Sequence, residues 1–390
     1  MYRNFAFTPV GSHQKSRSGI LKTPHGNIET PAFIFCGTKA SVKGISPQQL
    51  YETKTQIILS NTYHLFSYPG SEYIKERGGL HKFMGWDGPM LTDSGGFQIF
   101  SLGHGSVAEE IKGKRSGIST LINIDEEGAL FKSYRDGSLQ LLTPEKSVKV
   151  QRNLGADFIV AFDECTPYHS DKNYTEQSME RSHRWEKRSL EEFVRKNDFS
   201  QAIYGIVQGG VHRDLRKRSA EFVSENSFFA TAIGGTLGST KEQMYEVVET
   251  AMEGLDLSRP IHLLGIGGIC DIFNGVALGI DTFDCVHPTR IARHGGALVK
   301  PQYRDHPTRE HINLKRSQYA SDDSPIESDC NCSTCSNFSR AYLHYLLKAN
   351  ELLALSSIAV HNICFMNKLM EEIRAGIIAG DLNYVRGKWC

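Results

Sequence analysis

Residues 202–210 read Ala-Ile-Tyr-Gly-Ile-Val-Gln-Gly-Gly, an apolar run that ends in one polar side chain and two glycines. A run without polar alternation is typical of a strand that is buried on both faces, as in a parallel sheet covered by helices. Glycines allow a ligand to approach the backbone closely. The segment therefore predicts a parallel strand, Ala202–Gln208, that ends beside a ligand site.

The same pattern recurs seven more times between about residues 28 and 295, with helical patterns in between. The further candidate strands are Ile28–Gly37, Gln56–Asn61, Pro89–Asp93, Phe158–Asp163, Phe228–Gly234, Ile261–Gly265 and Thr282–Val286. Eight alternating strand and helix units predict an α/β protein built as a (β/α)8 TIM barrel. In one predicted helix, 143–155, Thr143 is the N-cap, Pro144 lies in the first turn and Gly155 ends the helix.

Two stretches interrupt this alternation. Residues of about 101–142 follow the third strand and contain Tyr134-Arg-Asp-Gly-Ser138, which is typical of a hairpin turn. Residues 296–390 follow the eighth strand and contain a cysteine cluster and a long helical pattern. We therefore expect a catalytic barrel over residues 1–295, with an insertion at about 101–142. Over residues 296–390 we expect a zinc-binding subdomain and C-terminal helices packed on the barrel.

Composition narrows the class of protein without fixing a partner. The chain has 44 Lys and Arg residues against 44 Asp and Glu residues, so any basic surface for nucleic acid must be local. The N-terminal residues lack the long apolar run of a signal peptide, and no apolar run is long enough to predict a membrane span. Nine cysteines without a secretion signal favour a reducing compartment, and we expect a cytoplasmic protein.

Aspartates lie at the ends of three predicted strands. They are Asp93, Asp163 and Asp284, and Gln208 ends a fourth strand. A single aspartate at such a position is more often a helix or turn cap. Because active sites of (β/α)8 barrels lie at the C-terminal ends of the strands, we expect these side chains to converge. Alone, the pattern predicts a barrel enzyme that uses carboxylates, as glycosidases do.

A cysteine cluster follows the barrel. Cys330, Cys332 and Cys335 lie within six residues, a spacing that suits one tetrahedral Zn²⁺ better than disulfides. His361 is the predicted fourth ligand and His344 the competing one. A closed set of four ligands predicts one structural zinc ion per chain rather than a catalytic one.

A basic segment lies next to the strand that carries Asp284. Residues 286–320 hold seven Lys and Arg residues against two acidic ones, including Arg290 and Arg293. Such a patch can neutralise phosphates and hold a polynucleotide in register, although a solvated loop is the alternative. We interpret the separate run from Arg213 to Arg218 as a solvated helix face.

Together these motifs resemble the tRNA-guanine transglycosylase family in its bacterial form, over nearly the whole chain. The matching stretches are Leu91-Thr-Asp-Ser-Gly-Gly-Phe-Gln98, Phe162-Asp-Glu-Cys165, Ile206-Val-Gln-Gly-Gly210, Gly279-Ile-Asp-Thr-Phe-Asp-Cys-Val-His-Pro-Thr-Arg290 and the Cys330–Cys335 cluster with His361. The resemblance implies a TIM barrel with an inserted zinc subdomain near the C-terminus, a homodimer, and a part in queuosine biosynthesis. The implied reaction exchanges the wobble guanine of tRNAs with GUN anticodons (Asp, Asn, His and Tyr) for a free 7-deazaguanine base.

The same resemblance implies roles for individual residues. Asp284 would be the nucleophile, forming a covalent aspartyl-ribosyl intermediate, and Asp93 the general acid/base. The implied ligands of the base are Asp163, Gln208, Gly235, Phe97 and Ser94, and the implied tRNA contacts are Arg290 and Arg293.

Some positions depart from the family pattern and leave the incoming base open. Residues Thr236–Ser239 form a shorter, smaller loop than is usual, and His262 and Leu264 stand where a tyrosine and a methionine are usual. Cys165 favours 7-aminomethyl-7-deazaguanine, whereas the smaller loop would admit the bulkier queuine.

Besides archaeosine-type exchange at another tRNA position, which usually brings extra C-terminal RNA-binding domains, two rival functions remain at this point. One is a non-catalytic tRNA-binding partner subunit of the same fold, which would be expected to lack the nucleophile, whereas Asp284 is present. The other is a barrel glycoside hydrolase, which would leave the cysteine cluster and the basic segment without a purpose.

Overall fold

The computed structural model describes residues 1–104, 120–196 and 198–390. Within these residues the strands are β1 Ala6–His13, β2 Ser16–Thr23, β3 Gly26–Thr30, β4 Ala32–Cys36, β5 Ile58–Ser60, β6 Met90–Thr92, β7 Leu121–Ile124, β8 Ala129–Lys132, β9 Leu139–Leu142, β10 Phe158–Val160, β11 Ala202–Val207, β12 Ala230–Ile233, β13 Ile261–Leu263, β14 Thr282–Cys285, β15 Gly296–Leu298 and β16 His311–Asn313.

The helices alternate with the later strands. They are α1 Pro47–Glu52, α2 Thr62–Ser67, α3 Ser71–Glu76, α4 Gly79–Met84, α5 Gly96–His104, α6 Pro144–Leu154, α7 Lys172–Arg195, α8 Arg213–Glu225, α9 Lys241–Met252, α10 Ile269–Leu278, α11 His287–Ala292, α12 Ser333–Asn337, α13 Arg340–Lys348, α14 Leu352–Ala379 and α15 Leu382–Trp389. The predicted caps of α6 are confirmed: the Thr143 side chain accepts a hydrogen bond from the Lys146 N–H, and Gly155 ends the helix in the left-handed conformation.

Eight parallel strands form a closed barrel in the order β10-β11-β12-β13-β14-β4-β5-β6. Val207 on β11 pairs with Ile233 on β12, and Asp284 on β14 pairs with Ile34 on β4. With intervening helices, this confirms the predicted (β/α)8 barrel, and each of the eight predicted strand segments contains one barrel strand. The strands are buried along their length because helices cover the barrel, which explains the unbroken apolar runs.

The prediction of one strand over Ile28–Gly37 was wrong in its first part. Residues Gly26–Thr30 pair with β2 in the three-stranded sheet β1-β2-β3, and the barrel strand starts only at Ala32. Pro31 separates the two strands because it has no N–H for a sheet hydrogen bond.

The insertion after α5 contains a three-stranded antiparallel sheet, β7-β8-β9. Strands β8 and β9 are joined across Tyr134–Ser138, which confirms the hairpin. Phe131 packs in one buried cluster with Tyr63, Phe162 and Trp185, so this sheet shares its core with the segment around α2 and β10. Residues 105–119 of the predicted insertion lie outside the described residues.

The chain divides into two compact units. One contains Met1–Phe7, Leu21–Asn27 and Leu59–Leu264, and the other Thr8–Ile20, Ile28–Ile58 and Gly265–Cys390. In the second unit, α14 is long and apolar enough to cross a membrane by length and composition, but 61% of its most apolar window is buried inside the protein. Burial of this kind is typical of a core helix in a globular unit. The domain boundary at residue 295 stays a prediction.

Candidate active site

Asp163 follows β10 and is the centre of the first site. Its side chain accepts hydrogen bonds from the Ser94 hydroxyl at 2.9 Å and from the Gln208 side-chain amide at 2.6 Å. The pKa of Asp163 is raised to about 6, mainly by burial and also by the nearby Asp93 charge, and this value already includes the opposing effect of the two hydrogen bonds. Around neutral pH this carboxylate is ionised and held in one orientation.

Asp93 follows β6 and is fixed by donors from a neighbouring segment. Its side chain accepts hydrogen bonds from the Thr62 N–H at 2.7 Å, from the Gln98 amide at 2.8 Å and from the Asn61 amide. Asn61 and Thr62 come directly after β5, so the ends of two barrel strands are tied together here. The three donors hold this carboxylate in one orientation.

Two glycines, Gly96 and Gly235, allow close packing around Asp163 and Gln208. A Cβ at Gly96 would stand 2.5 Å from the Asp163 carbonyl oxygen. A Cβ at Gly235 would stand 2.4 Å from the side-chain oxygen of Gln208, and Gly235 also has a φ of +71°. A larger residue in place of Gly96 would collide with backbone, and one in place of Gly235 would displace the Gln208 side chain and be strained at this φ. Phe97, in the first turn of α5, is 49% exposed, so its ring is accessible to a ligand.

Arg216 contradicts the prediction that Arg213–Arg218 is a solvated helix face. Its side chain is fully buried, and its guanidinium group donates to four backbone carbonyl oxygens in the loops after β11 and β12. Burial lowers the pKa of Arg216 to about 10, so the group stays cationic at neutral pH. The exposed arginines of the run, Arg213 and Arg218, do form surface ion pairs as expected of a helix face.

Asp284 lies on β14 in the other compact unit and is 9% exposed. The Gly265 N–H donates to one carboxylate oxygen at 3.0 Å, and the Cys36 thiol lies 3.7 Å from the other. The backbone donor fixes the direction of this carboxylate.

The predicted tRNA contacts lie on and just after the short helix α11, which begins two residues after β14. Arg290 and Arg293 are exposed, and neither forms an ion pair among the described residues. Part of the basic segment is neutralised internally: Lys300 pairs with Asp329 at 2.6 Å, and Arg316 with Asp305 at 2.7 Å. The cations available to phosphate are therefore fewer than the sequence count indicates.

The four predicted metal ligands lie together. The nitrogen Nδ1 of His361 lies 3.7, 3.7 and 3.3 Å from the sulfurs of Cys330, Cys332 and Cys335. Tetrahedral Zn²⁺ with usual Zn–S and Zn–N bonds needs ligand atoms about 3.6 Å apart, so the set fits this ion. His361 Nε2 donates to the Leu298 carbonyl oxygen at 2.8 Å, which leaves the lone pair on Nδ1 for a metal. The competing His344 instead contacts the Leu314 carbonyl.

The chain matches the family model described as queuine tRNA-ribosyltransferase over residues 12–390. It belongs to this family. A queuine tRNA-ribosyltransferase of Roseiflexus sp. (strain RS-1) is 46% identical, with 97% of this chain and 96% of the relative covered. One from Protochlamydia amoebophila (strain UWE25) is 45% identical, with 96% and 95% covered. A putative one from Archaeoglobus fulgidus is 42% identical, with 96% of both chains covered. The protein is therefore a pentosyltransferase.

The enzyme also contains a buried ionic network that sequence analysis missed. Glu164, next to Asp163, is 1% exposed and accepts hydrogen bonds from Tyr174 at 2.7 Å and Arg181 at 2.6 Å. Tyr174 lies in the first turn of α7 and Arg181 about two turns later, so the network ties the end of β10 to that helix. A sequence signal was present, because a carboxylate directly after a buried strand needs a cation or a donor.

The remaining cysteines include two relationships that sequence analysis did not predict. Cys270 and Cys390 form a disulfide, with Cα atoms 5.7 Å apart. Cys364 lies one helical turn after His361 and interacts with the Cys330 thiol, but it is not part of the four-ligand group. A cavity of about 800 Å³ adjoins the ligand group and is lined in part by Lys54, Cys364 and Arg374.

Proposed function

We propose that the enzyme exchanges the wobble guanine of tRNAs with GUN anticodons for a 7-deazaguanine base, through a covalent aspartyl-ribosyl intermediate. The observation that carries the proposal is the fixed pair of Asp163 and Gln208 at neighbouring strand ends. Family membership supports the reaction class. The tRNA substrates would be those for aspartate, asparagine, histidine and tyrosine.

The Asp163 group suits recognition of a guanine-like edge. Guanine presents an N1–H and an N2 amino group on one edge, both donors that an ionised carboxylate can accept. The Gln208 amide and the Gly235 N–H supply donors for the O6 oxygen. Phe97 offers an exposed ring on which the base can stack, as suits a nucleotide drawn out of an anticodon loop.

Asp284 is the proposed nucleophile. Its carboxylate would attack C1′ of the ribose as the bond from C1′ to the guanine nitrogen breaks, with an oxocarbenium-like transition state. The bonding electron pair stays on the guanine nitrogen, which takes up a proton from Asp93 as guanine leaves, so that Asp93 is then ionised. The covalent ester keeps the tRNA bound until the second base enters. The Gly265 N–H holds one carboxylate oxygen in place during both steps.

Asp93 is the proposed general acid/base. Attack by the incoming base on C1′ requires loss of its ring N–H proton, and an ionised carboxylate can take that proton. The donors from Thr62 and Gln98 orient Asp93 for this role. Both aspartates lie at or just beyond the C-terminal ends of strands in one closed barrel, the edge at which barrel enzymes place their reacting groups.

Substrate tRNA would be held by Arg290 and Arg293, whose exposed guanidinium groups suit phosphate contacts. The set of Cys330, Cys332, Cys335 and His361 would hold one zinc ion, which cross-links α12 and α14 and takes no part in the chemistry. We also propose that the enzyme works in the cytoplasm as a homodimer.

The incoming base is proposed to be 7-aminomethyl-7-deazaguanine, with queuine as the alternative. The loop Thr236–Ser239 is small, and the Ser239 hydroxyl accepts a hydrogen bond from Tyr168 at 3.0 Å. Cys165 favours the aminomethyl base, whereas the small loop would admit the bulkier queuine. The buried His262 lies on the next strand, β13.

The test supplies labelled guanine, 7-aminomethyl-7-deazaguanine and queuine separately to purified enzyme with a GUN tRNA. We expect label from guanine and from the aminomethyl base to enter the tRNA at the wobble position, and much less from queuine. A tRNA with another first anticodon base is the control. A protein that binds the tRNA but incorporates no base would instead be a non-catalytic partner subunit, and cleavage of carbohydrate would indicate a glycoside hydrolase.

A further inference from the structure

Arg216 is a buried cation without a buried anion. Within residues 1–104, 120–196 and 198–390, no carboxylate lies within ion-pair distance of its guanidinium group. Burial of an unpaired charge is costly unless hydrogen bonds replace the lost water. Arginine is retained at such a position when several fixed acceptors must be held at once.

The acceptors are four carbonyl oxygens from two loops. Nε donates to Gly210 at 2.7 Å and Nη1 to Val207 at 3.0 Å, both after or at the end of β11. Nη1 also donates to Gly234 at 2.8 Å and Nη2 to Thr236 at 2.8 Å, both after β12. One side chain therefore joins the segment that carries Gln208 to the segment that carries Gly235.

These hydrogen bonds also set the direction of the next N–H groups. In a trans peptide the C=O and the N–H point in opposite directions. Because the Gly234 carbonyl points at Arg216, the Gly235 N–H points away from it. The Gly235 N–H has no acceptor among the described residues. It is therefore a donor available to a ligand. Gly235 itself packs against Gln208, since a Cβ there would stand 2.4 Å from the Gln208 side-chain oxygen.

We infer that Arg216 is a positioning residue for base recognition, which turns the Gly235 N–H toward the O6 oxygen of the bound base. The inference rests on the proposed function, since it assigns the ligand of that site. Arg216 itself does not touch the base. Loss of Arg216 would free the loops after β11 and β12, so that the Gly235 N–H would no longer be fixed as a donor to O6. No reacting group would be lost.

The test compares Arg216→Lys with Arg259→Lys. Arg259 is a matched control because it also donates to three backbone carbonyls, those of Val223, Ser224 and Asn226, but it precedes β13 at the opposite end of the strands. The ligands are guanine and 6-thioguanine, which keeps the N1–H and the N2 amino group but replaces O6 by sulfur, a weaker acceptor.

Wild type and Arg259→Lys should bind guanine about 10-fold more tightly than 6-thioguanine, the effect of about one hydrogen bond. In Arg216→Lys the ratio should fall below about 3-fold, because the donor to O6 is no longer fixed. An unchanged ratio in Arg216→Lys would overturn the inference. If that variant does not fold, amide hydrogen exchange of the wild-type enzyme provides the test. Bound guanine should protect the Gly235 amide from exchange, and an unprotected amide would overturn the inference.

Exchange of labelled guanine into tRNA by wild type is measured in parallel. Its absence would refute the proposed function, whereas a lost selectivity ratio in Arg216→Lys would still support the role of Arg216 in binding the base. Normal exchange together with an unchanged ratio would refute the Arg216 inference alone.

Discussion

The Gln208 side-chain amide donates a hydrogen bond of 2.6 Å to the Asp163 carboxylate, although the two residues are 45 positions apart in the chain. They follow β11 and β10, which are neighbours in the barrel. The pair is therefore set by the backbone of two adjacent strands. Each side chain restricts the other to one orientation, so binding of a base costs less side-chain entropy.

Asp163→Asn should weaken binding of guanine by about 100-fold, because an amide cannot accept from both donors of the guanine edge. Exchange by the unmodified enzyme should also decline as pH falls through about 6, where the Asp163 carboxylate takes up a proton. Calorimetry of guanine binding measures the first effect, and incorporation of labelled guanine into tRNA across this pH range measures the second. If Asp163→Asn binds guanine as tightly as wild type does, Asp163 is not a ligand of the base.

Replacing both Arg290 and Arg293 by alanine should weaken tRNA binding and leave guanine binding unchanged. If each arginine neutralises one phosphate, the slope of log affinity against log salt should become shallower by about 2. Filter binding at several salt concentrations measures the slope, with Lys348→Ala as a control at another exposed cation. An unaltered slope in the double variant would argue against phosphate contacts here.

Cys332→Ala should lose bound zinc and destabilise the second compact unit, whereas Cys364→Ala should keep the metal. The two thiols lie in one neighbourhood, but only Cys332 belongs to the four-ligand group. Metal content per chain and thermal unfolding of both variants test the assignment. If Cys332→Ala keeps zinc and Cys364→Ala loses it, Cys364 and not Cys332 is the metal ligand.

A polar cluster before β10 should make stability depend on pH. Asp157 is fully buried and bonds to His25 at 2.7 Å, and the His25 and His81 rings stack at 3.7 Å. Burial opposes ionisation of Asp157, but hydrogen bonds from both histidines lower its pKa to about 2. The hydrogen bond to Asp157 raises the pKa of His25.

The two shifts act at opposite ends of the pH range. The Asp157 contribution, about 2 kcal/mol, is present above pH ~4 and is lost as pH falls toward 2. The His25 contribution is present below pH ~6.5 and is lost as pH rises through its raised pKa. The His25→Ala variant should not lose stability as pH rises above ~6.5, as measured by thermal unfolding. The variant His294→Ala, at an exposed histidine, should behave as wild type. Identical pH profiles for all three proteins would refute the linkage.

The barrel was predictable because each strand is a continuous apolar run, and its chemistry lies at strand ends where the run stops. The first sheet was not predictable, because β1 is mostly exposed and lacks a clear apolar pattern. Some strands end earlier than predicted. The predicted strand Phe158–Asp163 ends at Val160 in the structure, because the chain leaves the sheet before it reaches Asp163.

The prediction that Arg216 is solvated was wrong because it followed from the charge of the side chain and not from its position on the helix. It lies on the face of α8 that also buries Ser219, Ala220 and Val223, so helical periodicity placed it toward the core. By contrast, no local pattern connects Asp93 with its donors Asn61 and Thr62, because that contact depends on the pairing of separate barrel strands.

The most direct test of the mechanism is denaturing electrophoresis of wild type and Asp284→Asn after incubation with a GUN tRNA and acid quenching. We predict a covalent enzyme–tRNA band for wild type and none for the variant, which should still bind the tRNA before denaturation. A covalent band of equal intensity in Asp284→Asn would contradict the assignment of Asp284 as the nucleophile.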